Sequence, residues 1–197
     1  MGTVRKDIKE YIKENGGKKK AMKAAQVWFE EGKKKKAEKG VQVTRKRFQP
    51  GKIYVFEYTP QSIKTIPWFD AQPVVLAIDE ADKNDLGINL NLLPVKVKED
   101  LLDLICDTYY AEIKMAKGTA TSQKRLSITW EGAKKFLQKE GYDFALRQYI
   151  PKLKKNQAVV SYKNWAKIVL CDFADLNNTT YMELYEMFKI SLKKKNI

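Results

Sequence analysis

The chain has 197 residues, 44% of them hydrophobic, which is typical of one globular domain with a real core. Its formal net charge of +14 is unusually high for this length, and it contains no histidine. The lack of histidine excludes Ser-His-Asp and Cys-His catalysis and histidine-ligated zinc hydrolases, and no apolar run approaches the ~20 residues of a membrane-spanning helix.

Most of the positive charge lies in the first quarter of the chain. Residues 1–50 hold 16 Lys/Arg against 6 Asp/Glu, whereas residues 51–197 hold 22 against 18. Such blocks suit a nucleic-acid backbone or another polyanion, and a solvated face that only keeps the protein soluble is the alternative. The predicted DNA- or polyanion-binding residues are Lys18, Lys19, Lys20, Lys33, Lys34, Lys35, Lys36, Arg45, Lys46 and Arg47.

Two amphipathic helices are predicted within this basic segment. Over Asp7–Glu14, apolar residues recur with i, i+3 and i+4 spacing, and the Asn-Gly-Gly that follows is expected to end the helix. The second helix is predicted over Ala21–Glu31, and Gly32 with the lysine run is expected to end it. Because Trp28 and Phe29 are costly to leave in water, we expect them to close the fold or to contact a neighbouring subunit.

A lysine-rich helical arm is thus predicted over residues 1–47, and a compact domain over residues 48–197. The first strand of this domain, GKIYVFEYTP, has one face that consists only of aromatic residues, namely Tyr54, Phe56 and Tyr58. Its sequence therefore predicts a strand that buries an aromatic face.

Two further strands are predicted to follow as a hairpin. The segment Pro73–Asp79 is apolar on both faces and is expected to lie at the centre of the sheet. An acidic turn is expected over Glu80–Asp85. The third strand, Leu86–Pro94, carries leucine and isoleucine on one face and Asn89 and Asn91 on the other, which predicts one buried face.

The second half of the chain predicts mainly helices. We expect a helix after Pro94, a loop over Gly118–Arg125, and a helix that is capped by Thr129 and stopped at Gly141. A short helix over Tyr142–Tyr149 and a basic loop over Pro151–Asn156 are expected next. A fourth strand is predicted over Trp165–Leu176, and a C-terminal helix is predicted to begin with a capping box at Thr180 and Glu183. The predicted fold class is α+β: a small antiparallel sheet or half-barrel with inserted and C-terminal helices.

Catalytic and metal-binding patterns are weak throughout. Cys106 and Cys171 lie in apolar settings and are expected to be buried thiols, and closely spaced zinc ligands are absent. An EF-hand pattern that starts at Asp82 fails at its fifth and twelfth positions. Glu112 and Lys114 have the spacing of a metal-dependent nuclease motif, but they fall in a predicted helix. Neither a P-loop nor a G-x-G-x-x-G pattern occurs. We expect no cofactor, no metal and no enzymatic activity.

Residues 52–94 resemble an element that recurs in structural proteins of tailed bacteriophages. In the string KIYVFEYTP…TIPWFDAQPVVLAID…GINLNLLP, an aromatic strand is followed by a Pro-aromatic-aromatic-Asp element, an apolar strand and a Gly-hydrophobic-Asn strand that ends in Leu-Pro. Some proteins with such segments are DNA end protectors related to those of large myoviruses. Others are ring or connector components at the portal vertex, including those of crAss-like phages. The matching positions are Pro67, Trp68, Phe69, Asp70, Pro73, Gly87, Asn89, Leu93 and Pro94.

The resemblance implies roles for the Pro-aromatic-aromatic-Asp element. Trp68 and Phe69 would close the sheet or bury against a neighbouring subunit, and stacking on a base is the third alternative. Asp70 would hydrogen-bond backbone groups in the turn after Pro67. The residues expected in fold closure or a subunit interface are Trp28, Phe29, Pro67, Trp68, Phe69, Asp70, Gly87 and Asn89.

The leading hypothesis from the sequence is a non-enzymatic phage virion protein of the portal vertex or head–tail connector. It would be made in the bacterial host cytoplasm and would pack in the virion between portal, connector or tail proteins as a homo-oligomeric ring, away from membranes. Its basic arm would contact packaged DNA or an acidic protein surface. The alternative hypothesis is a DNA-binding protein that protects phage genome ends during packaging.

Overall fold

The computed structural model describes residues 3–39, 47–61, 70–81, 84–115 and 130–173; within them, the side chains of residues 3, 33–39, 79–81 and 106–115 are outside the description. The helices of these ranges are α1 (Thr3–Glu14), α2 (Lys18–Lys39), α3 (Val95–Met115), α4 (Trp130–Glu140) and α5 (Trp165–Leu170). The strands are β1 (Ile53–Tyr58), β2 (Val74–Ala81), β3 (Asn84–Asn89), β4 (Leu146–Tyr149) and β5 (Lys154–Val160). The predicted α+β class is confirmed.

The described strands form one antiparallel sheet in the order β4-β3-β2-β1-β5. β2 is its central strand, as its two apolar faces predicted. On one face, Ile53, Leu76 and Ile88 belong to the large core that the helices cover. The opposite face holds a smaller core, mainly aromatic, that consists of Phe48, Tyr54, Phe56, Tyr58, Val75, Ala77 and Tyr149.

The sheet curves strongly, because its two edge strands are joined by a very short connection. β4 ends at Tyr149 and β5 begins at Lys154. Four strand spacings would separate these edges by about 19 Å in a flat sheet, whereas the five-residue step spans at most about 18 Å even when fully extended. The Ile150 N–H donates to Tyr58 Oη at 3.3 Å, and Lys154 reaches Asp85 on β3. The curved sheet therefore encloses the aromatic core as a half-barrel.

The two N-terminal helices pack directly on the large core. Val4 and Ile8 of α1 and Ala25 of α2 are buried in it. Phe29 is also buried, and its ring lies edge-on to Phe173 with 4.8 Å between the centroids. Trp28 is half-buried against the same core. Both side chains therefore pack on the large core in the described part of the chain.

Ion pairs fix α1 on α3. The guanidinium of Arg5 lies 2.7 Å from Asp100 Oδ1 and 2.6 Å from Asp103 Oδ2.

The predicted boundary at residue 47 follows residues 40–46, which lie outside the description, so the division into arm and domain stays a prediction.

The second helix is longer than predicted. α2 continues through Gly32 and the lysine run to Lys39. Lysine is a good helix former, and one interior glycine costs only about 1 kcal/mol, so neither needed to end the helix. The expectation of a stop at Gly32 was wrong.

The strand predicted over Trp165–Leu176 was also wrong. Its first six residues form α5, which contacts α1, α2 and α3. All but Lys167 of these six are buried. A short, continuously apolar run is compatible with a buried strand or a buried helix, and here the surrounding helices decide the outcome.

Three other boundaries differ from the sequence expectations. Tyr142–Tyr149 is not a helix but a 3₁₀ turn followed by β4, and the loop predicted over Pro151–Asn156 becomes β5 from Lys154 onward. The third strand ends at Asn89, since the Asn89 side chain accepts a hydrogen bond from the Asn91 N–H and starts a 3₁₀ turn.

The boundaries of the helices on either side of residues 116–129 agree better with those predicted from the sequence. α3 begins directly after Pro94, as predicted, and α4 ends at the predicted stop, where Gly141 has a φ of 78°. The Thr129 cap, the loop over residues 118–125 and the helix predicted from Thr180 lie outside the described residues.

Candidate nucleic-acid interface

Three of the lysines predicted to bind a polyanion, Lys18, Lys19 and Lys20, are exposed at the start of α2. Helices α1 and α2 are joined by a tight turn in which Gly16 and Gly17 have φ values of 70° and 118°. Over residues 4–23, seven exposed lysines accompany only two exposed glutamates. These lysines are Lys6, Lys9, Lys13, Lys18, Lys19, Lys20 and Lys23. We call these seven residues the basic helical face.

Three lysines of this face occupy an unfavourable position. Lys18, Lys19 and Lys20 form the first turn of α2, which has no acidic residue. The N-terminus of a helix carries roughly half a positive charge, so cations there are repelled by the helix as well as by one another. A phosphate would relieve this repulsion and could accept hydrogen bonds from the free backbone N–H groups.

The second lysine block continues the same helix. Lys33, Lys34, Lys35 and Lys36 all belong to α2, where consecutive positions lie about 100° apart around the axis. Their side chains, together with Arg45 and Lys46, lie outside the description. That these residues contact DNA stays a prediction.

Arg47 has structural partners at the place where Lys154 of β5 reaches Asp85 of β3. Its Nε lies 2.8 Å from Asp85 Oδ1, and its Nη2 donates to the Asn84 carbonyl at 2.9 Å. Lys154 Nζ approaches the other carboxylate oxygen of Asp85 at 2.5 Å, and the Phe48 N–H donates to Oδ1 at 3.1 Å. The structure therefore places Arg47 in an ion-pair network that ties together β3, β5 and the segment before β1.

This network was not predicted from the sequence. Asp85 was assigned to the acidic turn, yet it lies in β3, its side chain is fully buried, and it pairs with a lysine 69 residues away. Lys154 Nζ also lies 3.8 Å from the centroid of the Phe48 ring. Burial lowers the pKa of Lys154, against the opposing effect of the Asp85 carboxylate. The alternation of Asp85 with Leu86 and Ile88 was the signal that could have placed this aspartate in the strand.

The Pro-aromatic-aromatic-Asp element is described only at its last residue. Pro67, Trp68 and Phe69 lie outside the described residues, so their predicted roles stay predictions. Asp70 Oδ2 accepts a hydrogen bond from Asn89 Nδ2 at 2.5 Å. The structure thus brings together two of the positions that the phage-protein resemblance singled out.

Gly87, a third such position, is needed for close packing between β2 and β3. A Cβ on this residue would lie 2.3 Å from Val75 Cγ1 and 2.9 Å from the Leu76 carbonyl oxygen. A side chain therefore does not fit there without moving the neighbouring strand. This is a structural reason for the glycine, independent of any ligand.

A buried lysine lies on the helical side of the large core. Lys98 is fully buried, and its ammonium group donates to the Cys171 carbonyl and lies 5.0 Å from the centroid of the Phe173 ring. Burial lowers the pKa of Lys98 to about 8. Cys171 is a buried thiol, as predicted, whereas the side chain of Cys106 is outside the description.

Membrane-spanning helices and metal-binding clusters bear directly on function. None of the helices in the described ranges has the length and apolarity that crossing a bilayer would require. Among the residues with described side chains, no group of three or more His, Cys, Asp or Glu is placed to hold a metal ion. The basic helical face is thus the feature of the described structure that most directly fits a polyanionic partner.

Comparison with known proteins gives one match. A family model described as phage T4 terminal DNA protecting protein matches residues 1–183, which include both the basic helices and the half-barrel. No curated protein and no solved structure matches the chain.

Proposed function

Because the chain belongs to the family of the phage T4 terminal DNA protecting protein, we propose that it binds the ends of linear phage DNA and shields them from degradation. The family match carries this proposal, since it extends over nearly the whole chain. It supports the end-protection alternative of the sequence analysis. It lends no support to a portal, connector, ring or tail role or to a likeness with crAss-like phage proteins.

The basic helical face supplies the attraction for DNA in this proposal. Its seven exposed lysines lie on two helices that are anchored to the core by Phe29 and by the ion pairs of Arg5. A rigidly held set of cations loses less side-chain and backbone freedom on binding than a disordered tail would. Each phosphate neutralised by a lysine releases counterions, which makes binding strongly dependent on salt.

Protection itself requires no chemistry from the protein. We propose that the chain acts non-enzymatically, by occupying the terminal base pairs so that an exonuclease cannot reach the end. The absence of histidine from the chain fits this role, since the commonest general base is missing. We further propose that the protein stays with the packaged genome in the virion.

The contribution of the basic helical face can be tested with a charge-matched pair of triple variants. In the first, Lys18, Lys19 and Lys20 are replaced by alanine. In the second, three exposed lysines of α4, namely Lys134, Lys135 and Lys139, are replaced in the same way. Both variants lose the same formal charge, so they differ only in which surface loses it.

The readout is the affinity for a blunt duplex measured by fluorescence anisotropy over a series of salt concentrations. If each α2 lysine meets one phosphate, the slope of log K against log salt falls by about 0.9 per lysine in the first variant, or by roughly 2.7 in total. The α4 variant should keep a slope close to that of the unmodified protein. Equal losses in the two variants would show that net charge, and not this face, drives binding.

A further inference from the structure

A small cavity opens where the middle of α2 meets β5 and α5. Its volume is about 260 Å³, and it lies partly open to solvent. This is below the roughly 300–1,000 Å³ of pockets for drug-sized ligands, so it suits a ligand the size of a single ring system. The residues that line it include Trp28, Gly32, Val159, Ser161 and Asn164.

The walls of the cavity combine an aromatic surface with two polar groups. Trp28 is half-buried, and Val159 is 53% exposed, which is unusual for an apolar side chain that lines a cavity. Ser161 and Asn164 add a hydroxyl and an amide. Neither of these polar side chains makes a hydrogen bond within the part of the chain that the structure describes. The cavity thus combines an aromatic side chain with two polar groups that could meet the edge of a polar ring.

Lysines lie close to the cavity, and Glu31 is exposed on α2 next to the lining residue Gly32. No carboxylate is among its lining residues. Lys167 Nζ lies 5.0 Å from the centroid of the Trp28 ring, and Lys163 is exposed beside Asn164. Helix α2 continues from Gly32 directly into Lys33 and the rest of the lysine run. A ligand with an apolar aromatic part and an attached anion therefore matches both the interior and the rim.

We propose that this cavity accepts the unpaired terminal nucleobase of a DNA end. The base would stack on Trp28, its edge would meet Asn164 and Ser161, and the attached phosphates would lie near the lysines at the rim. This proposal rests on the proposed function, since it assigns to DNA-end binding a site that distinguishes an end from the interior of a duplex. An internal base pair cannot enter the cavity without unstacking, which costs a few kcal/mol.

The expected gain follows from the strength of base–aromatic stacking. Removing such a contact costs about 1–3 kcal/mol per base, which corresponds to roughly 5- to 150-fold in affinity. The lysines supply a separate contribution that depends on phosphates alone. A comparison that keeps the phosphates and removes only the base therefore isolates the cavity.

The test uses two otherwise identical duplexes that each carry one unpaired nucleotide at the end. In the first this nucleotide has its base, and in the second it is abasic. The full-length protein should bind the first duplex roughly 5- to 150-fold more tightly. The ratio of these two affinities is the quantity to compare among variants, because changes in the attraction for phosphates cancel in it.

A matched pair of variants tests whether the cavity causes this ratio. Val159→Asp places a charge in the cavity wall, and Val27→Asp places the same charge at an equally exposed valine, 50% exposed, that does not line it. Val159→Asp should reduce the ratio to near one, whereas Val27→Asp should leave it unchanged. Trp28→Leu, checked for folding by circular dichroism, should also abolish the ratio, since it removes the stacking surface.

The possible outcomes separate this proposal from the proposed function. If the unmodified protein binds both duplexes equally well, the base site is refuted and DNA-end binding stands. If it binds neither, both proposals fail. A ratio that falls equally in the Val159 and Val27 variants would refute the cavity as its source. Dimers that Val159→Asp dissociates, seen by light scattering without DNA, would instead assign the cavity to a second copy of the chain.

Discussion

Replacing Asp85 with alanine should destabilise the protein, because it removes the contact between β3 and β5 in the half-barrel. The carboxylate lies 2.5 Å from Lys154 Nζ and 2.8 Å from Arg47 Nε, and it also accepts the Phe48 N–H. Without it, Lys154 remains as a cation whose side chain is only 2% exposed. A buried charge that has lost its partner is among the most destabilising defects in a protein.

The magnitude follows from these burial values. Removing one partner of a buried ion pair costs about 3–5 kcal/mol. The side chain of Arg47 is 36% exposed, so its share of the network is screened by solvent, and Lys154 dominates the cost. The unsatisfied Phe48 N–H adds about 1 kcal/mol or more. We therefore expect Asp85→Ala to cost at least about 4 kcal/mol, which lowers Tm by roughly 8–16 °C in a chain of this size.

Urea denaturation monitored by circular dichroism measures this cost directly. Lys154→Met is the matched control, because it removes the buried cation and leaves Asp85 paired with Arg47 and the Phe48 N–H. It should cost less than Asp85→Ala. The double variant Asp85→Leu/Lys154→Met buries no charge at this position and should recover much of the lost stability. A cost below about 1 kcal/mol for Asp85→Ala, or strictly additive single variants, would refute the assignment of this network as the closure of the half-barrel.

Two further predictions concern packing and pH. Gly87→Ala should destabilise the protein by about 1–3 kcal/mol, because the new Cβ would meet Val75 and the Leu76 carbonyl. Gly32→Ala in α2 is the control: its Cβ meets nothing within 4 Å, so it should stabilise the protein by about 0.5–1 kcal/mol. An unchanged Tm for Gly87→Ala would contradict the close strand packing. Burial lowers the pKa of Lys98 from 10.5 to about 8, so between these pH values the unfolded chain binds more protons than the folded chain. The free energy of unfolding should therefore rise with pH in this range, by on the order of 1–2 kcal/mol up to about pH 9.5. Lys98→Met should remove this rise in urea midpoints, and an identical pH profile in the variant would exclude Lys98 as its cause.

The sequence predicted those features of the fold that depend on local patterns. The alternation in β1 identified the aromatic face of Tyr54, Phe56 and Tyr58, and all three residues lie in the smaller core. The run of apolar residues in β2 identified the central strand. The start of α3 after Pro94 and the end of α4 before Gly141 were also correct, because proline and glycine restrict the backbone in known ways.

Features that depend on distant partners were missed for a physical reason. Trp165–Leu170 could form a strand or a helix, and only its burial against α1, α2 and α3 selects the helix. Asp85 looked like a turn residue because its partner, Lys154, lies 69 positions away. Local propensity contains no information about such contacts.

The candidate site also contains features that local sequence patterns predicted and features that depend on distant contacts. Three lysines of the basic helical face, Lys18 to Lys20, were evident from a charge block alone, since a surface position needs no tertiary partner. The other four were not among the residues predicted to bind DNA. The cavity beside Trp28 could not be predicted, because α2 is remote in sequence from β5 and α5 and meets them only in the folded chain. The amphipathic pattern of α2 indicated that Trp28 must be covered, but it did not show that part of the Trp28 surface would line an open cavity.

The central claim is that this protein recognises DNA ends, and competition between a linear duplex and a covalently closed circle of the same sequence tests it most directly. At moderate salt, we predict that the linear DNA forms a defined complex, that the circle competes only weakly, and that the number of proteins bound stays constant when the linear duplex is lengthened. Equal competition by the circle, with binding that grows in proportion to length, would contradict the account and would leave only non-specific attraction to phosphate.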